Sequence, residues 1–87
     1  MKVLAIDDQK LVLIPLEARL KALGYEVITA TSALAGISTF NSFKPDLVIV
    51  DINMPETSGI EVVKYIRLDQ KSETPIMILS GNTNDAI

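Results

Sequence analysis

Cysteine and histidine are both absent from this sequence of 87 residues. Without them the chain cannot form disulfide bonds or zinc sites built on thiolate or imidazole ligands. Catalytic schemes that need a cysteine nucleophile or a histidine base are excluded as well. Any metal ion must therefore be bound by oxygen atoms.

Positive charge and long apolar runs are also scarce. The net charge is −3, and no stretch gathers several Lys or Arg residues, so we expect no direct contact with nucleic acid. The apolar run within residues 1–6 is too short for a signal peptide or a bilayer span, so we expect a cytoplasmic protein with no membrane partner. A hydrophobic content of 48% is that of a globular protein with a core.

Four short apolar runs predict buried β-strands, and three segments of helical periodicity lie between them. The strands are expected at residues 3–6, 25–30, 47–50 and 76–79, and the helices at residues 11–23, 32–43 and 58–68. This alternation predicts an α/β fold with a parallel sheet and helices on both faces. We expect one domain over residues 1–87, without a linker.

Local signals refine two of these helices. The apolar face of the first is expected to comprise Leu13, Leu16, Leu20 and Leu23. Gly24 stands where a helix end favours positive φ, and Pro15 predicts a late start or a kink, because proline deletes one backbone hydrogen bond. Ser58 and Glu61 have the spacing of a capping box at the start of the third helix.

Polar residues follow the predicted strands at the point where each strand ends. Asp7 and Asp8 follow the first, Asp51 the third and Ser80 the fourth. In a parallel sheet these ends share one edge, and the three carboxylates converge if the first and third strands are neighbours. Such a cluster favours Mg²⁺, and a carboxylate beside Mg²⁺ can accept a phosphoryl group. Asp51 is the best-placed nucleophile.

Each of these residues also has a purely structural interpretation. Asp7, Asp8 or Ser80 could cap a helix, Asp51 or Asn53 could form a turn, and Gly59 and Gly81 could be tight-turn glycines. The conjunction of four polar residues at one predicted edge favours a functional site.

The sequence resembles the receiver domain of two-component response regulators. The resemblance rests on residues 6–8, 48–55 and 75–81 and on Gly59, and it covers essentially the whole chain. It implies a flavodoxin-like three-layer fold with four parallel strands in the order 2-1-3-4 and three helices. The fourth helix, the fifth strand and the fifth helix of a whole receiver are expected to be absent.

The resemblance also implies roles for the acidic residues and their neighbours. Asp8 would coordinate Mg²⁺ directly, Asp7 mainly through water, and Asn53 through its backbone carbonyl. Asp51 would bind the metal and attack phosphorus.

Two residues after the fourth strand complete the implied site. Ser80 would hydrogen-bond the attached phosphoryl group, and Gly81 would leave space for it and offer its N–H. The donor would be a phosphohistidine on a sensor histidine kinase, and the output a shift between two conformations. Any catalysis would be limited to the domain's own phosphorylation and dephosphorylation, impaired here because the lysine of the family's fifth strand is missing.

Three classes of protein are alternatives to a phosphorylated receiver domain, and two of them require particular residues after the nucleophile. A haloacid dehalogenase needs a second Asp two residues after the nucleophile, where Asn53 stands, and a cobalamin module needs a His there. The third is a receiver-like module that is not phosphorylated and acts by self-association. Residues 76–79 are expected to form an exposed apolar edge strand. We therefore expect the chain to be either a fragment of a longer protein or a self-associating one, such as a homodimer.

Overall fold

The structure, a computed structural model, describes residues 1–79. Strands and helices alternate along this part of the chain, and the last helix continues into a π-helical segment. The strands are β1 (Lys2–Ile6), β2 (Glu26–Ala30), β3 (Leu47–Asp51) and β4 (Ile76–Leu79). The helices are α1 (Lys10–Ala22), α2 (Ala33–Phe43) and α3 (Gly59–Lys64), followed by the π-helical segment Tyr65–Asp69.

The four strands form one parallel sheet in the order β2-β1-β3-β4. Ile6 at the end of β1 is in register with Ala30 of β2 and Val50 of β3. The predicted strand order, the parallel sheet and the three helices are therefore confirmed. The register also places the residues that follow Ile6 and Val50 side by side at the carboxyl edge of the sheet.

The sheet separates two hydrophobic clusters, because alternate side chains of a strand point to opposite faces. Leu4, Ile6, Val48 and Val50 belong to the larger cluster, which includes residues of α2 and α3. Val3, Ala5 and Ile49 point the other way and pack with Leu13 of α1. The predicted sheet with helices on both faces is confirmed by this division.

Helix α1 differs from its prediction at both ends. It begins at Lys10 with Pro15 inside it, so of the two predicted effects of Pro15 the late start is wrong, and the kink stays a prediction. Pro15 is exposed, and the carbonyl that it leaves without a donor can be hydrated. Gly24 has φ 94°, as predicted, but Leu23 is 69% exposed because it lies beyond the last helical residue.

The start of α3 differs from the predicted capping box. The Ser58 hydroxyl accepts a hydrogen bond from the N–H of Ile60 at 3.1 Å, not from that of Glu61. The Glu61 N–H binds the Ser58 carbonyl instead, and the Glu61 carboxylate lies 3.7 Å from Lys64. The difference arises because the same hydroxyl also donates to the carbonyl of Ile52 at 2.9 Å.

Strand β4 is less buried than its apolar run alone predicts, and its exposure agrees with the second prediction, of an edge strand. Met77 and Ile78 are each 52% exposed, whereas the apolar run predicts a buried strand. Strand β4 pairs with β3 on one side, and within residues 1–79 no strand pairs with its other side. In the part of the chain that the structure describes, β4 is therefore the expected exposed edge strand. Strand β2 begins at Glu26, one residue later than predicted.

Candidate functional site

Three carboxylates meet at the carboxyl edge of the sheet. Asp7 and Asp8 follow β1 directly, and Asp51 is the last residue of β3. One oxygen atom from each of the three lies within 4.8 Å of those from the other two. The predicted convergence of these acids is confirmed, and it follows from the pairing of β1 with β3.

Local hydrogen bonds orient two of the carboxylates. Asp7 accepts from the N–H of Gln9 at 2.9 Å, and Asp51 accepts from the N–H of Asn53 at 3.0 Å. Each bond uses Oδ1 and leaves the second oxygen of that carboxylate for another ligand. The N-terminal cap of α1 is Gln9, so neither Asp7 nor Asp8 has the simple capping role considered for them.

The site holds more negative charge than its surroundings neutralise. Burial raises the pKa of Asp7, the nearby Asp51 and Asp8 raise it further, and the bond from Gln9 opposes this rise. Oδ1 of Asp8 is buried and has no hydrogen-bond partner within the described part of the chain. Such an atom destabilises the fold unless a donor or a cation reaches it.

This arrangement fits a hard divalent cation. The donor set consists of carboxylate oxygens, and the unpartnered oxygen of Asp8 is the kind of ligand that such an ion needs. The ion pairs formed within residues 1–79 join Lys21 to Glu17 and Lys64 to Glu61. Neither pair includes an acid of the cluster.

Of the other predicted site residues, the structure describes Asn53. Asn53 is an exposed residue, and its N–H donates to Oδ1 of Asp51. Ser80 and Gly81 lie outside the described residues.

Gly59 contacts the backbone behind Asp51 more closely than the sequence indicates. A β-carbon at this position would lie 2.8 Å from the carbonyl carbon of Asp51 and 2.9 Å from Cα of Ile52, and it would overlap the Asp51 carbonyl oxygen. Only a residue without a side chain fits there. A glycine eight residues after the candidate nucleophile is visible in the sequence, but its contact is not.

Between Asp51 and α3, the loop contains a residue in the left-handed region. Glu56 has φ 67°, which is unfavourable for a residue with a β-carbon. We expect Glu56→Gly to raise the free energy of unfolding by about 0.5–1 kcal/mol. Urea denaturation measures this change. Glu56→Ala, which removes the same charge without relieving φ, should not stabilise the protein, and equal gains in both variants would contradict the explanation.

The raised pKa of Asp7 predicts a pH-dependent stability in metal-free buffer. A carboxyl whose folded pKa lies above its unfolded value of 3.8 contributes stability at low pH, and this contribution is lost as pH rises through the folded pKa. Asp7→Asn should remove this loss. The free energy of unfolding of the variant should therefore rise relative to that of the wild type as pH rises from about 4 to 7. Excess Mg²⁺ should reduce the difference, because the ion favours the charged form. Denaturation at several pH values tests this, and a constant difference would refute it.

The parallel order β2-β1-β3-β4 and the carboxylate cluster at its edge define a class of protein. A family-wide sequence model described as response regulator receiver domain matches residues 3–87. The chain belongs to this family, the receiver domains of two-component systems. The assignment agrees with the strand order and with the acids at the edge of the sheet.

Individual relatives are similar over almost the whole chain. It is 34% identical over 84 residues to the alkaline phosphatase synthesis transcriptional regulatory protein PhoP of Bacillus subtilis, covering 97% of this chain and 35% of that protein. It is 37% identical over 83 residues to the cell cycle transcriptional regulator CtrA of Caulobacter vibrioides, covering 95% of this chain and 36% of that protein. The chain thus spans about a third of the length of these curated relatives.

A solved structure has the same fold. The chemotaxis response regulator CheY4 of Vibrio cholerae superposes with a TM-score of 0.86 at 36% identity, covering 94% of this chain and 69% of that one. Within the described residues, no helix is long and apolar enough to cross a membrane.

Proposed function

We propose that this chain is a cytoplasmic phosphoacceptor in two-component signalling, with Asp51 receiving a phosphoryl group from a phosphohistidine of a sensor histidine kinase. The observation that carries the proposal is the position of Asp51. Asp51 is only 7% exposed, and its carboxylate accepts a hydrogen bond from the N–H of Asn53 and lies beside two further carboxylates. Membership of the receiver family supports the same role.

The transfer forms one bond and breaks one. The Asp51 oxygen that is not held by Asn53 attacks phosphorus, the P–N bond of the phosphohistidine breaks, and its electron pair returns to the imidazole nitrogen. The product is an acyl phosphate on Asp51. Later attack by water on phosphorus restores the carboxylate and releases inorganic phosphate. The domain would promote both of its own reactions, and this is the extent of the enzymatic activity that we propose.

Mg²⁺ is the proposed metal. Asp8 and Asp51 would bind it directly, Asp7 mainly through water, and Asn53 through its backbone carbonyl. The buried, unpartnered oxygen of Asp8 supports this assignment. When bound, the ion neutralises charge on the transferring group. Asp7 holds the neighbouring N–H of Gln9, which keeps the start of α1 next to the cluster.

Ser80 and Gly81 are proposed to complete the site. The Ser80 hydroxyl would bind the attached phosphoryl group, and Gly81 would leave it space and offer its N–H. They follow Leu79, which is in register with Asp51 across the β3–β4 pair.

Intact mass spectrometry tests the proposed function. The chain is incubated with acetyl phosphate in the presence of Mg²⁺ or of a chelator. We expect one phosphoryl adduct per chain with Mg²⁺ and little with the chelator. Failure to form an adduct under both conditions would refute a phosphoacceptor role for this chain.

Strand β4 supports a further proposal about partners. Within residues 1–79, its exposed Met77 and Ile78 lie on an apolar edge strand, which favours pairing with a second copy as a homodimer. We expect concentration-dependent association in sedimentation experiments. Ile78→Lys should reduce it, whereas Leu68→Lys, which replaces a residue that is 67% exposed outside the sheet, should not. A wild-type chain that remains monomeric at high concentration would contradict this prediction.

A further inference from the structure

The peptide unit between Ile52 and Asn53 connects two hydrogen bonds at the site. Its N–H, on Asn53, donates to Oδ1 of Asp51 at 3.0 Å. Its carbonyl, on Ile52, accepts from the hydroxyl of Ser58 at 2.9 Å. Because a peptide unit is planar and rigid, fixing its carbonyl also fixes the direction of its N–H.

The Ser58 hydroxyl is itself fixed. It accepts from the N–H of Ile60 at 3.1 Å, as the cap of α3, while it donates to Ile52. The N–H of Gly59 approaches the same Ile52 carbonyl at 3.4 Å, a longer and weaker bond. The first turn of α3 thus holds the peptide unit that orients the Asp51 carboxylate.

We propose that Ser58 is a positioning residue for phosphoryl transfer, because its hydroxyl orients the 52–53 peptide unit and, through the Asn53 N–H, the Asp51 carboxylate. This inference rests on the proposed function of Asp51. A bond to the Ile52 carbonyl also polarises the peptide unit and strengthens the N–H as a donor. With Oδ1 held in this way, the other Asp51 oxygen keeps a constant direction toward the reacting group.

The two roles of the Ser58 hydroxyl can be separated by substitution. Asp is a good N-cap and can accept from Ile60, but an ionised carboxylate cannot donate to Ile52. Thr can do both, and Ala can do neither. Ser58→Asp therefore keeps the cap and removes the proposed positioning bond, and Ser58→Thr should restore the wild-type behaviour.

Charge needs its own control, because Ser58→Asp adds a negative charge near an acidic site. Thr57→Asp adds the same charge one residue earlier and leaves the Ser58 hydroxyl in place. Similar slowing by both aspartates, with a wild-type rate in Ser58→Ala, would assign the effect to charge and overturn the proposal.

Two readouts test the role of Ser58. The first is the initial rate of adduct formation with acetyl phosphate and Mg²⁺, and the second is the hydrogen exchange of the Asn53 amide measured by NMR. We expect Ser58→Asp and Ser58→Ala to lower the rate about threefold to tenfold, the equivalent of one neutral hydrogen bond, and to speed Asn53 exchange. Ser58→Thr should match the wild type in both.

The outcomes separate this proposal from the proposed function. A wild-type rate and unchanged Asn53 exchange in Ser58→Asp would overturn the positioning role, while the phosphoacceptor role would stand. If the wild-type chain forms no adduct, the phosphoacceptor role fails. The hydrogen exchange of the Asn53 amide then tests the orienting bond of Ser58 by itself. Faster exchange in Ser58→Asp would then support the orienting bond, and unchanged exchange would refute it.

Discussion

Asp51→Asn is expected to abolish the phosphoryl adduct while leaving the fold intact. The amide is nearly the same size as the carboxylate, and its oxygen can still accept from the N–H of Asn53. It lacks the negatively charged oxygen that would attack phosphorus in the proposed transfer. Intact mass after incubation with acetyl phosphate and Mg²⁺ should therefore show unmodified chain only.

Two further effects of Asp51→Asn follow from the carboxylate cluster. Removing one of three charges within 4.8 Å should raise the metal-free stability by about 1 kcal/mol and lower the pKa of Asp7. Mg²⁺ affinity should fall, because one ligand is lost. Asp69→Asn, which removes an exposed acid far along the chain, should change none of these quantities. An adduct that persists in Asp51→Asn would mean that another residue, such as Asp7 or Asp8, accepts the phosphoryl group.

Gly59→Ala is expected to be the most damaging single-methyl substitution near the site. In helices alanine is favoured over glycine by about 0.5–1 kcal/mol, and φ at Gly59 is not positive, so helix propensity alone predicts a gain. The added β-carbon would instead overlap the Asp51 carbonyl and crowd Ile52. Because neither partner is a flexible side chain, we expect a net loss of about 1–3 kcal/mol.

The same substitution should also displace Asp51, the proposed phosphoacceptor. A shift of the Asp51 backbone misplaces its carboxylate, and a displacement of about 1 Å can lower a rate by about 100-fold. Urea denaturation and the rate of adduct formation measure the two effects. Gly24→Ala is the matched control, since its β-carbon would meet nothing within 4 Å and its cost comes from φ 94° alone. Gly24→Ala should lower stability without changing the rate of adduct formation. Wild-type stability together with a wild-type rate of adduct formation in Gly59→Ala would contradict the close contact.

The strands and the acidic edge were predictable because both depend on short, contiguous segments of the sequence. The runs before Asp7 and Asp51 are apolar and end at acids, and two parallel strands must bring such ends to one edge. The order of the strands came from the family resemblance, since apolar runs do not specify their neighbours. Leu23 shows the limit of periodicity, because it continues the apolar face of α1 but lies beyond its last turn.

The connections behind the site were not predictable from residue types. Ser58 and Glu61 have capping-box spacing, yet the Ser58 hydroxyl donates to the Ile52 carbonyl. This contact depends on the conformation of the loop between Ile52 and Ser58. Gly59 is identified by its type, whereas the backbone that it touches is known only from the fold. The buried oxygen of Asp8 likewise depends on packing that no spacing encodes.

The central position of β1 has a consequence for the order in which the domain assembles. Both neighbours of β1 come later in the chain, and bonds such as that between Lys2 and Asp46 join residues 44 positions apart. Pairing of this kind closes long loops and slows folding. Asp7 and Asp8 meet Asp51 only after β3 has docked on β1. The proposed Mg²⁺ binding would therefore report on this docking, and the rate at which a refolding chain gains Mg²⁺ affinity would time the formation of its central strand pair.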